Sequence, residues 1–170
     1  MSDRFSTSRR VWRLGMGLLL FACLGGLGAS EARAAEIAAF LSGAEPTELW
    51  GSGVGGTIGI TLFNLVGLEF EGAWQGGQTA AADMWSGSGR VYLGPQFKRF
   101  VPYLGLSTGI FRQSLGERSD TGSTSGVFAG LKLKLPLGLV ARGEYQWVHL
   151  PDDALVKMDN KYLVGVGLTF

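Results

Sequence analysis

The segment "DNKYLVGVGLTF", residues 159–170, decides the fold class. Apolar side chains stand at every second position from Tyr162 to Phe170, and mostly small or polar residues lie between them. A period of two predicts a β-strand with one apolar face. Phenylalanine would be an unusual last residue for such a strand in a soluble protein.

Seven further segments also predict strands, and no convincing helix lies between them. The eight predicted strands are residues 36–42, 54–64, 67–75, 85–96, 102–112, 122–135, 138–148 and 161–170. Most contain about ten residues, the length that a tilted strand needs to cross a bilayer. The alternation is clear in the seventh strand, where Arg142 and Glu144 oppose Tyr145 and Trp147, and weakest in the first and fourth.

The connections between these strands alternate in length. Residues 64–67, 97–101 and 135–138 form short connections, whereas 43–53, 76–84, 113–121 and 149–160 form longer polar ones. Short turns at one end and longer loops at the other are typical of membrane barrels. The sequence therefore predicts an all-β fold, a transmembrane eight-stranded antiparallel up-and-down β-barrel.

Aromatic residues mark both ends of the predicted strands. The end with the long loops has a predicted belt of Trp50, Trp74, Trp85, Tyr145, Trp147 and Tyr162. The opposite end has Phe63, Phe97, Phe100, Tyr103 and Phe170. Amphipathic rings settle at the depth of lipid headgroups, so two such belts are expected where a barrel crosses a membrane.

The last strand carries a further signal. Its alternating residues Tyr162, Val164, Val166, Leu168 and Phe170 resemble the C-terminal assembly signal of bacterial outer-membrane β-barrels. The resemblance to the small eight-stranded barrels of this superfamily extends over about 135 residues. It implies insertion by the outer-membrane assembly machinery in a double-membraned bacterium. It does not imply one function, because the superfamily includes structural proteins, adhesins, small channels and lipid-modifying enzymes.

The first 34 residues predict an export signal. Four arginines precede an uncharged apolar run at residues 14–29, and Ala32-Arg33-Ala34 fits a cleavage site. The run is short for a transmembrane helix. Residues 8–12 partly resemble a twin-arginine signal, and Cys23 lies in a loose lipidation motif; both are weaker alternatives. We expect cleavage near Ala34 and a barrel domain over residues 35–170, located in the bacterial outer membrane.

Composition excludes several functions for the remaining chain. Residues 35–170 carry ten Lys or Arg and twelve Asp or Glu, a formal net charge of −2. This charge disfavours nucleic-acid binding. The same residues include no cysteine, which excludes disulfides and thiolate metal sites. We expect no cofactor and no metal.

Seven charged residues fall on the inward face of the predicted strands. They are Glu69, Glu71, Arg90, Lys132, Lys134, Arg142 and Glu144. An eight-stranded barrel is just wide enough for side chains to fill it, so enclosed charges must pair. We expect Glu69 and Glu71 to reach Arg142, and an acid such as Glu144 to lie between Lys132 and Arg142. The alternative is a polar pathway for small solutes.

Three other functions are disfavoured by specific residues. Outer-membrane lipid A deacylases are similar barrels with a His-x-Ser motif, but His149 is followed by Leu150 and Pro151. The adjacent Asp152 and Asp153 are typical of a solvated turn. The glycine-rich residues 51–56 precede no helix, which disfavours a phosphate loop. A secreted lipocalin-like barrel would place its apolar face inward, and the seven inward charges disfavour that alternative.

The sequence therefore predicts a non-enzymatic outer-membrane barrel. Its expected role is structural or a surface interaction, with a largely salt-bridged lumen. A narrow channel for small or hydrophobic solutes is the alternative. The expected partners are outer-membrane lipid, lipopolysaccharide, the assembly machinery and an unidentified partner of the loops.

Overall fold

Strands form where outward apolar residues alternate with inward small or polar ones. The computed structural model describes residues 34–45, 50–78, 82–152 and 154–170. Their eight strands are β1 (Ala34–Glu45), β2 (Trp50–Leu62), β3 (Val66–Gly77), β4 (Ala82–Leu93), β5 (Phe100–Leu115), β6 (Arg118–Lys134), β7 (Leu139–His149) and β8 (Asn160–Thr169). No helix among these residues is long and apolar enough to cross a membrane.

Each strand pairs antiparallel with its neighbours in the sequence, and β8 pairs with β1 to close the barrel. Paired residues followed around the barrel from Thr124, through β5 to β1 and then β8 and β7, return to β6 at Lys134. The stagger of the closed sheet is therefore ten residues (134 − 124). Such a stagger tilts the strands by about 35–45° from the barrel axis.

The two ends of the barrel differ. We call the end with connections 63–65, 94–99 and 135–138 the turn end. Phe63, Asn64 and Leu137 adopt positive φ angles there, which permits short reversals of the chain. The opposite end, which we call the loop end, contains the connections after β1, β3, β5 and β7.

The predicted eight-stranded antiparallel barrel is confirmed, including β1 and β4, whose alternation is weakest in the sequence. The long loop predicted at residues 113–121 is wrong. β5 and β6 continue through this region and reverse at Gly116 and Glu117. Gly116 has a φ of +61°, which a residue without a Cβ adopts at little cost.

The last residue of the sequence, Phe170, lies beside the start of β1. Ala35 and Phe170 exchange two backbone hydrogen bonds, of 2.9 and 3.0 Å. Residues 1–33 of the predicted export signal, which spans residues 1–34, lie outside the described residues, and its last residue, Ala34, begins β1. On β8, the predicted apolar face points outward, where Val164 is 69% exposed.

Candidate functional site

The interior of the barrel is filled by a network of charged side chains. Eight of them are almost fully buried: Glu36, Glu69, Glu71, Arg90, Lys132, Arg142, Glu144 and Lys161. Four are carboxylates and four are cations, so their formal charges balance. Isolated charges are costly to bury, and mutual pairing offsets that cost. We call these eight residues the lumen network.

Arg90 on β4 organises the part of the network nearer the loop end. Its guanidinium contacts Glu71 at 2.5 Å (Nη1 to Oε2) and also contacts Glu144. Lys161 contacts the other Glu71 oxygen at 2.7 Å. Gln146 donates to both carboxylates, at 3.2 Å to Glu71 and 2.6 Å to Glu144. Each acid therefore has two or more donors.

Lys132 and Arg142 organise the part nearer the turn end. Lys132 Nζ lies 2.7 Å from Glu69 and 3.0 Å from Glu36. Arg142 lies 3.3 Å from Glu69 and 2.8 Å from Glu144. Arg142 thus connects the two parts of the network, since Glu144 also contacts Arg90. The network is continuous from β1 to β8.

Three aromatic rings pack beside these charges. Tyr92, Tyr103 and Phe128 form a buried cluster, and the Arg90 guanidinium lies 3.9 Å from the centre of the Phe128 ring. Lys132 donates to the Tyr92 hydroxyl at 2.8 Å, and the Tyr103 hydroxyl donates to Glu144 at 2.8 Å. A cation over a ring face gains electrostatic stabilisation. Tyr103 is therefore a lumen residue, and its predicted place among the aromatic residues at the turn end is wrong.

Six of the seven predicted lumen charges lie in the network. The exception is Lys134, whose ammonium contacts Gln96 at the turn end. As expected, Glu69 contacts Arg142 and Lys132 pairs with Arg142 on the neighbouring strand. Glu71, however, contacts Arg90 and Lys161. The acids shared by Lys132 and Arg142 are Glu69 and Glu36, and Glu144 contacts Arg142 but not Lys132.

Sequence reasoning missed Glu36 and Lys161. Both alternate with outward-facing neighbours, Ile37 and Tyr162. The alternation of inward and outward positions along each strand was therefore the signal that could have found them. The network also uses Thr57, whose hydroxyl accepts a bond of 3.0 Å from Arg142.

A second feature closes the lumen at the loop end. The connection after β7 folds across the mouth of the barrel and buries Leu150 and Met158. They pack in one apolar cluster with Ala44, Trp50, Met84 and Phe111. We call residues 150–158, of which Asp153 lies outside the described residues, the mouth segment.

Two side chains of the barrel wall hold the mouth segment. Gln113 on β5 binds the backbone of Val156 twice, donating at 2.6 Å and accepting at 3.1 Å. The indole nitrogen of Trp50 donates to the carbonyl of Lys157 at 2.9 Å. Trp50 is only 1% exposed, so its predicted place in the lipid-facing belt is wrong. An indole settles inside because it finds both an apolar pocket and an acceptor.

The other predicted belt residues occupy outward positions near the loop end. Trp85, Trp147 and Tyr162 are about half exposed or more. Tyr145 packs edge-on against Trp147 at 5.0 Å, and Trp74 pairs with Trp85 across β3 and β4. At the turn end, the rings of Phe63, Phe97, Phe100 and Phe170 are all exposed. The outward surface between these two ends is largely apolar.

His149 lies exposed at the end of β7. Its carbonyl accepts a bond of 3.4 Å from Thr124. Asp152 makes an exposed contact of 3.6 Å with Lys157. Among the described residues, no group of three or more His, Cys, Asp or Glu side chains is placed to hold a metal ion.

The barrel is similar to several solved structures. Neisserial surface protein A superposes with a TM-score of 0.68 at 15% identity, over 84% of this chain and 100% of that one. The N-terminal β-barrel domain of Pseudomonas aeruginosa OprF gives 0.56 at 19% identity, over 81% and 97%. Pseudomonas aeruginosa OprG, an outer membrane protein, gives 0.52 at 12% identity, over 84% and 98%.

No protein-family model matches the sequence, and no curated protein matches it. At these identities the likeness concerns the fold. The chain therefore has the fold of the small eight-stranded bacterial outer-membrane β-barrels.

Proposed function

We propose that this chain is an integral outer-membrane protein with a structural and surface-interaction role and a closed lumen. Its turn end faces the periplasm and its loop end faces the cell exterior, as is usual for barrels with short turns at one end. The apolar exterior and the aromatic rings at both ends support insertion in a membrane. Neisserial surface protein A, the barrel with the highest TM-score above, is named as a surface protein.

The observation that carries the proposal is the filled lumen. The lumen network crosses the barrel interior from β1 to β8, and the mouth segment covers the loop end. A solute would have to break several buried ion pairs to pass. Breaking one such pair typically costs about 3–5 kcal/mol. This cost favours a closed barrel over the alternative, a narrow channel.

The loop end is the proposed interaction surface. Residues 118–124 of β6 pair with β5 alone, because Ser125 is the first residue of β6 that pairs with β7. The β5–β6 hairpin therefore extends beyond the end of β7 and presents polar side chains. Exposed connections held by a rigid barrel are frequent sites of interaction.

Single-channel conductance in a planar bilayer tests the closed lumen. We expect no discrete steps from the wild-type protein once a boiled-versus-unboiled gel shift has confirmed that it is folded. Steps from folded wild-type protein that change in Glu144→Ala would make the protein a channel and reject the closed barrel. The double variant Glu71→Ala with Glu144→Ala separates the two functions further: a plug loses stability, whereas a pore stays folded and changes conductance.

A further inference from the structure

The side chains of the connections at the turn end carry charge of one sign. Its three connections include the exposed cations Lys98 and Arg99, and none includes an Asp or Glu side chain. The loop end differs, because Glu117, Arg118 and Asp120 of both signs lie close together there. The excess of positive charge at the turn end is therefore local and does not follow from the composition of the chain.

The two cations occupy the tip of a tight turn between two phenylalanines. Phe97 and Phe100 exchange backbone hydrogen bonds of 2.8 and 2.7 Å, and Lys98 reverses the chain with a φ of +46°. Both rings point away from the protein, since Phe97 is 61% and Phe100 53% exposed. The turn thus presents two charges and two apolar rings on one small surface, which we call the basic turn.

The rest of the turn end holds the basic turn in place. The carbonyl of Arg99 accepts a bond of 2.7 Å from the backbone of Lys134, which brings a third cation close to the tip. The ammonium of Lys134 contacts Gln96, and Gln96 donates to Asn64 at 3.4 Å. Asn64 belongs to the first turn, so contacts link the first two turns and the end of β6. The basic turn is therefore part of a fixed rim.

Lys98 and Arg99 have no carboxylate partner in the described part of the chain. Both are long side chains on an exposed turn, whereas the cations of the lumen network are all paired. The charge of the basic turn is available to an external anion. Because apolar rings flank the two cations, the surface favours an anion that carries an apolar group beside its charge.

We propose that the basic turn binds the phosphate of an anionic phospholipid in the periplasmic leaflet of the membrane. This inference rests on the proposed membrane insertion. The exposed rings lie at the depth where aromatic residues contact the glycerol and upper acyl region. The cations extend toward the headgroup layer, where an arginine binds phosphate through paired, charge-assisted hydrogen bonds. The rings and the cations together match the two parts of a phospholipid.

Native mass spectrometry of the protein released from nanodiscs tests this proposal. The nanodiscs contain phosphatidylcholine mixed with phosphatidylglycerol, and the retained lipids are counted. We expect the wild type to retain phosphatidylglycerol preferentially. The variant Lys98→Gln with Arg99→Gln is expected to reduce that preference about thirtyfold, because each of the two cations near an anionic surface contributes about 1 kcal/mol.

The matched control removes the same charge at the loop end, by Arg112→Gln with Lys157→Gln, and is expected to keep the preference. The conservative variant Lys98→Arg with Arg99→Lys is also expected to keep it. An unchanged preference after loss of both turn-end cations would overturn the proposal, as would equal loss in the control. A gel shift on the wild type and on every variant monitors insertion, and failure of the wild type to insert would instead contradict the proposed function.

Discussion

Arg90 is the residue on which the lumen network depends most. Its side chain is fully buried and contacts carboxylates from two other strands, Glu71 of β3 and Glu144 of β7. Its guanidinium also lies over Phe128. Removing this cation leaves two acids partly unpaired in an interior of low polarity, where a lone charge is strongly disfavoured.

We expect Arg90→Met to lower the free energy of unfolding by about 3–5 kcal/mol, since it breaks a buried ion pair while keeping much of the side-chain volume. The measurement is equilibrium unfolding in urea of protein refolded into lipid vesicles. Arg112→Met is the control, because Arg112 is an exposed residue on β5, and its effect is expected to stay within about 0.5 kcal/mol. Equal effects of the two substitutions would show that the network contributes little.

Parity along the strands predicts which residues enter the lumen, but it does not predict their partners. Six lumen charges follow from alternation alone. The partner of Lys132 depends on the stagger of the closed sheet, which brings Glu36 of β1 to within 3.0 Å of a residue on β6. Trp50 illustrates a second limit, because a tryptophan at the end of a strand suits both a lipid belt and a buried mouth. The acceptor on Lys157 that favours the buried position lies 107 residues away.

At the scale of the element, the mouth segment is held by few contacts. Gln113 supplies two hydrogen bonds to Val156, Trp50 supplies one to Lys157, and the apolar cluster around Trp50 supplies the rest. None of the described residues of this segment lies in a strand, so their position does not depend on the hydrogen-bond ladder of the barrel wall. It can therefore be released while the barrel remains folded.

We expect Gln113→Leu to increase the rate of proteolytic cleavage within residues 150–158. The two lost hydrogen bonds are each worth about 0.5–1.5 kcal/mol, enough to raise the open population severalfold. Limited proteolysis of the refolded protein, followed by mass spectrometry, measures this rate. Arg112→Leu is the neighbouring control and is expected to leave the rate unchanged. If Gln113→Leu unfolds globally at the same urea concentration as the wild type, the change is local. A large shift of that unfolding midpoint would contradict this expectation.

The β5–β6 hairpin shows what a strand pattern leaves unpredicted. Residues 113–121 include polar residues at both odd and even positions, such as Gln113 and Ser114, so a period of two is absent there. Alternation marks a strand only where one face meets lipid and the other the lumen. Beyond the membrane both faces meet water, and the same backbone pairing continues without a sequence signal.

At the scale of the whole molecule, β8 has to join β1 before the barrel closes. Its outward residues, from Tyr162 to Phe170, make no contact with the lumen network and are exposed. Such residues contribute little to the stability of the inserted barrel beyond lipid contact. A role in assembly is therefore separable from a role in stability.

We expect Phe170→Ser to reduce the fraction of protein assembled in the outer membrane of cells, because the aromatic residue belongs to the proposed assembly signal. Refolding into vesicles and the gel shift of the purified variant are expected to match the wild type. Quantifying the heat-modifiable form in isolated membranes measures the assembled fraction. Phe63→Ser is the control at the same end of the barrel. An equal loss in both variants would indicate that general hydrophobicity matters rather than this position.

The lumen network also divides unevenly along the chain. Strands β1–β4 contribute Glu36, Glu69, Glu71 and Arg90, with a formal charge of −2, and β5–β8 contribute Lys132, Arg142, Glu144 and Lys161, with a formal charge of +2. Each half of the sheet thus carries a net charge on its inner face that its own residues do not neutralise. The two halves attract one another as the sheet bends, and their charges are fully paired only when β1 and β8 join. Closure of the barrel is then coupled to neutralisation of its interior, which disfavours half-closed sheets and sheets paired with the wrong partner.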